Sequence, residues 1–471
     1  MGKYCTPSHP DKIYKLMRSI GRAIMLTKGN NTHSGNLSLR DPNDRDVFYI
    51  TASGSQKGML IPSDIVPLKF SGVSWGDGRA STESTIHRKI LEVPGIEATI
   101  HAHYLSAISI SFDSKERQIY LVYEGRLNNR EEYSFIPVDC LGASLLRKVP
   151  TGDYLEAVGS REMEERIPQY LRTYRATIVK GHGPFVRGKS LEECLFLQGV
   201  VDSSASLHAA ACLRGVDVTL LSRRLLKQGT NSIYQKKVKD FSVIDLGHYE
   251  TKDEATISAF KDRAHFNFYQ GITPYGTGSM SEKITEGEML YCPLAGAPEG
   301  LELNIKRISL DSEKDDDWEL RFHKIIYKET NNKACMITMS PLASAEAMAV
   351  IAESYGMDAL LDPFSVNIDY SHRKEHPVVA PIDAEAVYLN PRVGLCHSNA
   401  PDEAVLDMLR WHKGACFIAG VGAIGVGQVT LEQAAHHIAS GESIARFRQF
   451  VHMTHKIRNG PSISYFEPET Q

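Results

Sequence analysis

Four side chains in the first half of the chain are of types that together hold a metal and move a proton: His101, His103, His182 and Glu83. His101 and His103 lie in the segment 97–107, which reads as a strand ending at a turn. Residues i and i+2 of a strand face the same side, so both imidazoles can reach one ion. His182 follows the run Ala176 to Lys180 and stands between two glycines, which let the backbone approach another element and turn the ring inward as a third ligand. Glu83 precedes His87 by four residues in a helix expected to start at Ser81. An acidic residue suits that end of a helix, and a carboxylate there could also shuttle a proton at a carbon beside a carbonyl. Each signal alone has an ordinary reading: exposed strand histidines, a glycine turn, a helix-end acid. Together they point to one divalent ion, zinc by ligand type, with Glu83 performing enolate chemistry beside it.

The elements that must position these groups occur twice. Gly35 to Arg40 is echoed by Gly278 to Lys283, Tyr49 to Gly58 by Tyr291 to Gly300, Glu83 to His87 by Glu319 to His323, and Gly181 to Gly188 by Gly420 to Gly427. Blocks in one order imply tandem copies of one fold. The expected domains are 1–230 and 250–471, joined by a polar stretch from about Lys227 to Glu254. Within each copy helix and strand signals alternate. Ile13, Leu16, Met17, Ile20 and Ile24 recur at helical spacing, 47–51, 98–100 and 176–179 are short β-branched runs, and Ser190 ahead of Glu192 and Glu193 marks a helix start. The expected class is α/β in three layers, α/β/α, present twice.

Aligning the copies puts Thr338 and Ser340 near the positions of His101 and His103, and Val421 at that of His182. The second copy is therefore expected to bind no metal, although Glu319 and His323 persist. His436 and His437 lack ligand spacing and read as structural. Gly420 to Gly427 also satisfies the dinucleotide pattern GxGxxG. It closes a domain instead of opening a βαβ unit, so the repeat explains it better than nicotinamide binding does.

Taken in order, Asn36 with Ser38, Ser53-Gly54, Ser81-Thr82-Glu83 with His87, His101-x-His103 and Gly181-His182-Gly183 resemble the class II aldolase/adducin family in the style of fuculose-1-phosphate aldolases, over about residues 10 to 215. The resemblance implies zinc on His101, His103 and His182, with Glu83 as catalytic acid/base that also completes the resting metal shell. It places the substrate phosphate at Asn36, Ser53, Gly54, Ser81 and Thr82, with His33 a departure three residues before the asparagine. A tyrosine beyond the histidine pair, Tyr120 or Tyr123, would donate a proton. The implied reaction is aldol cleavage or formation on a small, phosphorylated ketose. The same site type also serves epimerisation, dehydration and decarboxylation, and the adducin type is a non-catalytic scaffold. Family active sites lie between subunits of a ring, which implies a homo-oligomer in which the second copy forms part of the interface.

Composition narrows the partners. Net charge is -4 with both signs interspersed, which gives no footprint for nucleic acid or an anionic membrane. No apolar run reaches the roughly 20 residues of a membrane span. Gly2 fits the loose myristoylation pattern, too weak to be taken as an anchor. Eight cysteines without a CxxC pair fit a reducing, cytoplasmic setting.

Overall fold

The computed structural model describes residues 11–31, 33–73, 78–112, 120–127, 130–156, 159–234, 237–238, 254–273, 276–298, 303–312, 317–372, 376–412 and 414–459. Gly2 and most of the expected junction lie outside these residues. The chain divides into two compact units. One is made of Met1–Phe135, Leu146–Asp202 and Ala297–Glu302, and the other of Ile136–Leu145, Ser203–Gly296 and Leu303–Gln471. Segments 136–145 and 203–234, which belong to the first repeat in sequence, thus pack within the second unit. No described helix is long and apolar enough to cross a membrane.

The first unit is built on a sheet of nine strands. They are β1 (Asn36–Arg40), β2 (Val47–Thr51), β3 (Ile65–Lys69), β4 (Ala98–His101), β5 (Leu121–Leu127), β6 (Arg130–Phe135), β7 (Val149–Gly152), β8 (Ala176–Val179) and β9 (Gly183–Gly188). Their order is β3-β2-β1-β4-β9-β8-β7-β6-β5, with only β7 and β8 parallel. The helices Ser84–Leu91 and Arg161–Thr173 lay Ile86, Ile90, Met163, Ile167 and Leu171 against Phe48, Ile50, Val179 and Phe185 of the sheet. Burying each such side chain is worth about 1.5–3 kcal/mol. The helix Asp11–Leu26 buries Ile13, Met17, Ile20 and Ile24, the stripe expected from its spacing. The helix Leu191–Leu213 starts where Ser190 Oγ accepts the Glu193 amide (3.2 Å). From it Gln198 donates to the carbonyls of Ile100 and Pro184, tying β4 to β9.

The second unit repeats this plan with β10 (Ser279–Thr285), β11 (Glu288–Cys292), β12 (Lys306–Ser309), β13 (Ala334–Thr338), β14 (Val378–Val379), β15 (Val393–Cys396), β16 (Ala415–Ile418) and β17 (Gly422–Gly427). Their order, β12-β11-β10-β13-β17-β16-β15-β14, matches the first sheet strand for strand, including the parallel pair, and among the described residues omits only a counterpart of β5. The helices Trp318–Glu329 and Asp402–Trp411 pack Phe322, Ile326, Val405 and Leu409 on the sheet. The fold is α/β, with a mixed sheet between helices in each of two tandem copies.

Backbone pairing corrects the expected alignment of the copies by one residue. Ala98 faces Gly188 in the first sheet, and Ala334 faces Gly427 in the second. Asn36 pairs with His101, and Ser279 with Ile337. Ile337 and Met339, not Thr338 and Ser340, therefore stand at the positions of His101 and His103. A one-residue slip exchanges the two faces of a strand, which is why block matching alone missed it. The glycine run Gly420 to Gly427 is mostly β17 itself, paired antiparallel with β13 and β16. It does not turn into a helix amino terminus, so the phosphate-binding geometry of a dinucleotide fold is absent there.

Candidate metal centre

Three connections bring the histidines together. β4 ends at His101, and His103 lies just beyond it, where its amide donates to the Gly29 carbonyl (2.7 Å) and to Asn30 Oδ1 (2.9 Å). His103 is thus held by loop contacts and not by the strand alternation that its spacing suggests. His182 occupies the turn between β8 and β9. Gly181 there has φ +69°, and a Cβ on Gly183 (φ +147°) would sit 2.2 Å from the Ala102 carbonyl oxygen. Only glycine permits that approach, and it carries the His182 ring beside β4.

The Nε2 atoms of His103 and His182 lie 3.1 and 3.2 Å from Nε2 of His101. Those separations are close to the roughly 3.3 Å edge of a tetrahedron with metal–nitrogen bonds of about 2.0 Å. His101 Nδ1 donates to the Pro184 carbonyl (3.1 Å), which leaves its Nε2 lone pair facing the other two rings, and Phe185 stacks on its face at 4.0 Å. Among the described residues this is the one group of three or more ligand-type side chains with converging atoms.

Glu83 stands immediately before the helix Ser84–Leu91, which begins later than the sequence suggests. Its Oε2 accepts from Asn36 Nδ2 (2.6 Å) and lies 3.8 Å from His101 Nε2. Oε1 is buried and has no hydrogen-bond partner among the described residues. Asn36 also donates to Ser81 Oγ (3.1 Å).

Burial, then His182 and His103, hold His101 well below the usual histidine range. Burial, then His182 and Lys57, bring His103 down to about 4. Burial pushes Glu83 up against the lowering effect of Asn36. Neutral imidazoles are what a metal requires, and a cation among them would return Glu83 to its ionised form. The converging nitrogens and the orphaned carboxylate oxygen fit a divalent ion.

The remaining expected residues divide. Ser81 is buried beside Asn36, whereas Ser53, Gly54 and Thr82 are exposed. The Ser53 amide donates to the Arg79 carbonyl, so their two loops adjoin. Tyr123 lies on the edge strand β5, three strand spacings or about 14 Å beyond β8, and Tyr120 just precedes it. Within the chain neither is brought to the histidines. Sequence reasoning missed Lys57, Asn30 and Gln198. Lys57 lies in a repeated block but reads there as a surface lysine.

Beneath the site, Ser38 Oγ meets His87 Nδ1 at 2.7 Å, and Ser281 meets His323 Nδ1 at 2.5 Å in the second copy. Burial drives His87 down to about 3. The unfolded chain takes up that proton near pH 6.5 and the folded chain refuses it until about pH 3, so stability falls as pH drops through this window. His87→Asn, which keeps a partner for Ser38, should flatten the pH dependence of the urea midpoint between about pH 6 and 4. An unchanged slope would show that the ring contributes none of it.

The corresponding place in the second unit is closed. Glu319, Ile337, Met339 and Val421 line a cavity of about 30 Å³ together with Cys140 and Lys237. That is room for a water molecule or two, against the roughly 300 Å³ or more of a ligand pocket.

The model of the class II aldolase and adducin N-terminal domain matches residues 15–209 and again 255–448. A methylthioribulose-1-phosphate dehydratase of Leptospira biflexa is 26% identical over 174 residues, covering 34% of this chain and 78% of that protein. Its counterpart in Gluconobacter oxydans is 29% identical over 167 residues, covering 34% and 72%. The crystal structure of L-fuculose-1-phosphate aldolase from Thermus thermophilus is 26% identical, with a TM-score of 0.37, over 43% of this chain and 95% of that one. With both repeats matched, the chain belongs to the class II aldolase and adducin family, whose enzymes are metal-dependent lyases.

Proposed function

We propose that the first repeat is the active site of a lyase that cleaves the aldol carbon–carbon bond of a small phosphorylated ketose and returns a proton to the carbon beside the carbonyl, and that in reverse withdraws that proton to form the bond. The observation that carries this reading is the buried Glu83 carboxylate: Oε2 is held by Asn36 and lies 3.8 Å from Nε2 of His101, one of three convergent imidazoles, and Oε1 has no hydrogen-bond partner among the described residues. His101, His103 and His182 would hold the ion, and an all-imidazole donor set favours zinc. Such an ion supplies Lewis-acid polarisation of a carbonyl and its neighbouring hydroxyl.

Glu83 does the proton work. Asn36 fixes the orientation of the carboxylate, and its burial keeps bulk water from competing for the proton. Asn36, Ser53, Gly54, Ser81 and Thr82 cradle the phosphate with hydroxyls and turn amides, without a large basic patch. Tyr120 or Tyr123 from a neighbouring copy would take the hydroxyl proton as the bond cleaves and donate it to the aldehyde oxygen in the reverse direction, which ties that role to a homo-oligomer.

A second reading is favoured by the curated relatives, both named as dehydratases: Glu83 withdraws the proton from the carbon beside the carbonyl, and the carbon–oxygen bond at the next carbon breaks, releasing its hydroxyl as water. A panel of ketose 1-phosphates, with triose phosphate, dehydrated product and epimers read separately, decides between them. The zinc-reconstituted chain should hold about one metal and His182→Ala close to none, because three protein ligands are the least a catalytic zinc site uses. A parent chain that takes up no transition metal would sink both readings.

A further inference from the structure

Lys57 opens the short turn Lys57–Met59, two residues beyond Ser55, and is only 2% exposed. Its Nζ donates to the carbonyls of Ser55 (2.8 Å) and His33 (3.1 Å). Among the described residues no carboxylate pairs with it, and Asp64 acts only from farther away. A buried ammonium paired with two carbonyls alone is costly, and burial lowers its pKa to about 8. Its two acceptors are informative. Ser55 follows the Ser53-Gly54 turn, and His33 belongs to the loop that leads into Asn36 and whose Gly29 and Asn30 hold the His103 amide. The ammonium is therefore fixed where the expected phosphate turn meets the loop that positions the site, and lysine serves phosphate sites as a point charge.

Resting on the reading that the substrate is phosphorylated, we infer that Lys57 is a positioning residue whose ammonium, tied behind the Ser53-Gly54 turn, supplies the fixed counter-charge that orients the phosphate dianion there. It does not touch the reacting carbons. A lysine that merely staples two loops predicts something different, because glutamine can donate to both carbonyls without any charge.

The test is calorimetric titration of the metal-loaded full chain with inorganic phosphate, with metal content measured alongside. Lys57→Gln should keep the parent's metal content and weaken phosphate binding by about tenfold or more, and Lys57→Arg should restore most of it. Lys57→Met should bind phosphate no better than Lys57→Gln. A parent that binds phosphate together with a Lys57→Gln variant that binds it equally well overturns the inference and leaves the proposed reaction standing. A parent that binds no phosphate removes the phosphorylated substrate itself, and the role of Lys57 with it. Should Lys57→Met fail to fold, the glutamine and arginine variants still give the answer.

Discussion

Glu83→Gln is expected to hold as much metal as the parent and to lose turnover by about 10²- to 10⁴-fold, the range typical of removing a positioned general base. The substitution is nearly isosteric, and the glutamine oxygen can still accept from Asn36, which now donates to Oε2 at 2.6 Å. The three imidazoles are untouched, so metal content separates a lost base from a lost site. Because Glu83 makes no described hydrogen bond through Oε1, little structure should be disturbed. KM should move by far less than kcat, since the change removes an interaction needed only as the proton moves. A kcat within a few-fold of the parent would remove Glu83 from the mechanism.

The second large effect is on stability and lies far from that chemistry. Glu346, on the helix Pro341–Tyr355, is fully buried between two arginines: Arg214 Nε donates to Oε2 at 2.9 Å and Arg448 Nε to Oε1 at 2.7 Å. Arg214 also reaches Glu353 (3.1 Å), and Arg448 reaches the Ala380 carbonyl (2.8 Å). Glu346→Ala leaves both guanidinium groups buried with their central partner gone, a change that costs about 3–5 kcal/mol. The measurement is urea unfolding followed by fluorescence, for which Trp318 and Trp411 report on the second unit. The exposed pair Arg161 and Glu165, 3.2 Å apart, is the control, and Glu165→Ala should barely move the midpoint. Equal effects at the two sites would show that burial of the network adds nothing.

The residues that could carry chemistry were legible because each has a local signature: a histidine pair two apart, a glycine on either side of His182, a carboxylate four before His87. The helix Asp11–Leu26 and the order of the repeated blocks were legible for the same reason. What sequence could not give depends on partners far along the chain. The register between β10 and β13 is fixed by backbone pairing, so the residue standing for His101 could be read one place off. His103 is set by Gly29 and Asn30 and not by its own strand. Lys57 looks like any surface lysine until its burial is seen. The packing of segments 136–145 and 203–234 within the second unit leaves no mark in composition or periodicity.

The serine and histidine joined beneath the site are 49 residues apart in the first copy and 42 in the second, yet their atoms meet at nearly the same separation. Differences in length are absorbed by the intervening turns, while this junction keeps its address. It is present also in the copy that carries Ile337, Met339 and Val421 where the first has its three histidines, so the junction does not depend on that triad. It serves as a fiducial mark: equivalent positions in two such copies, however far they have drifted apart, can be counted from it.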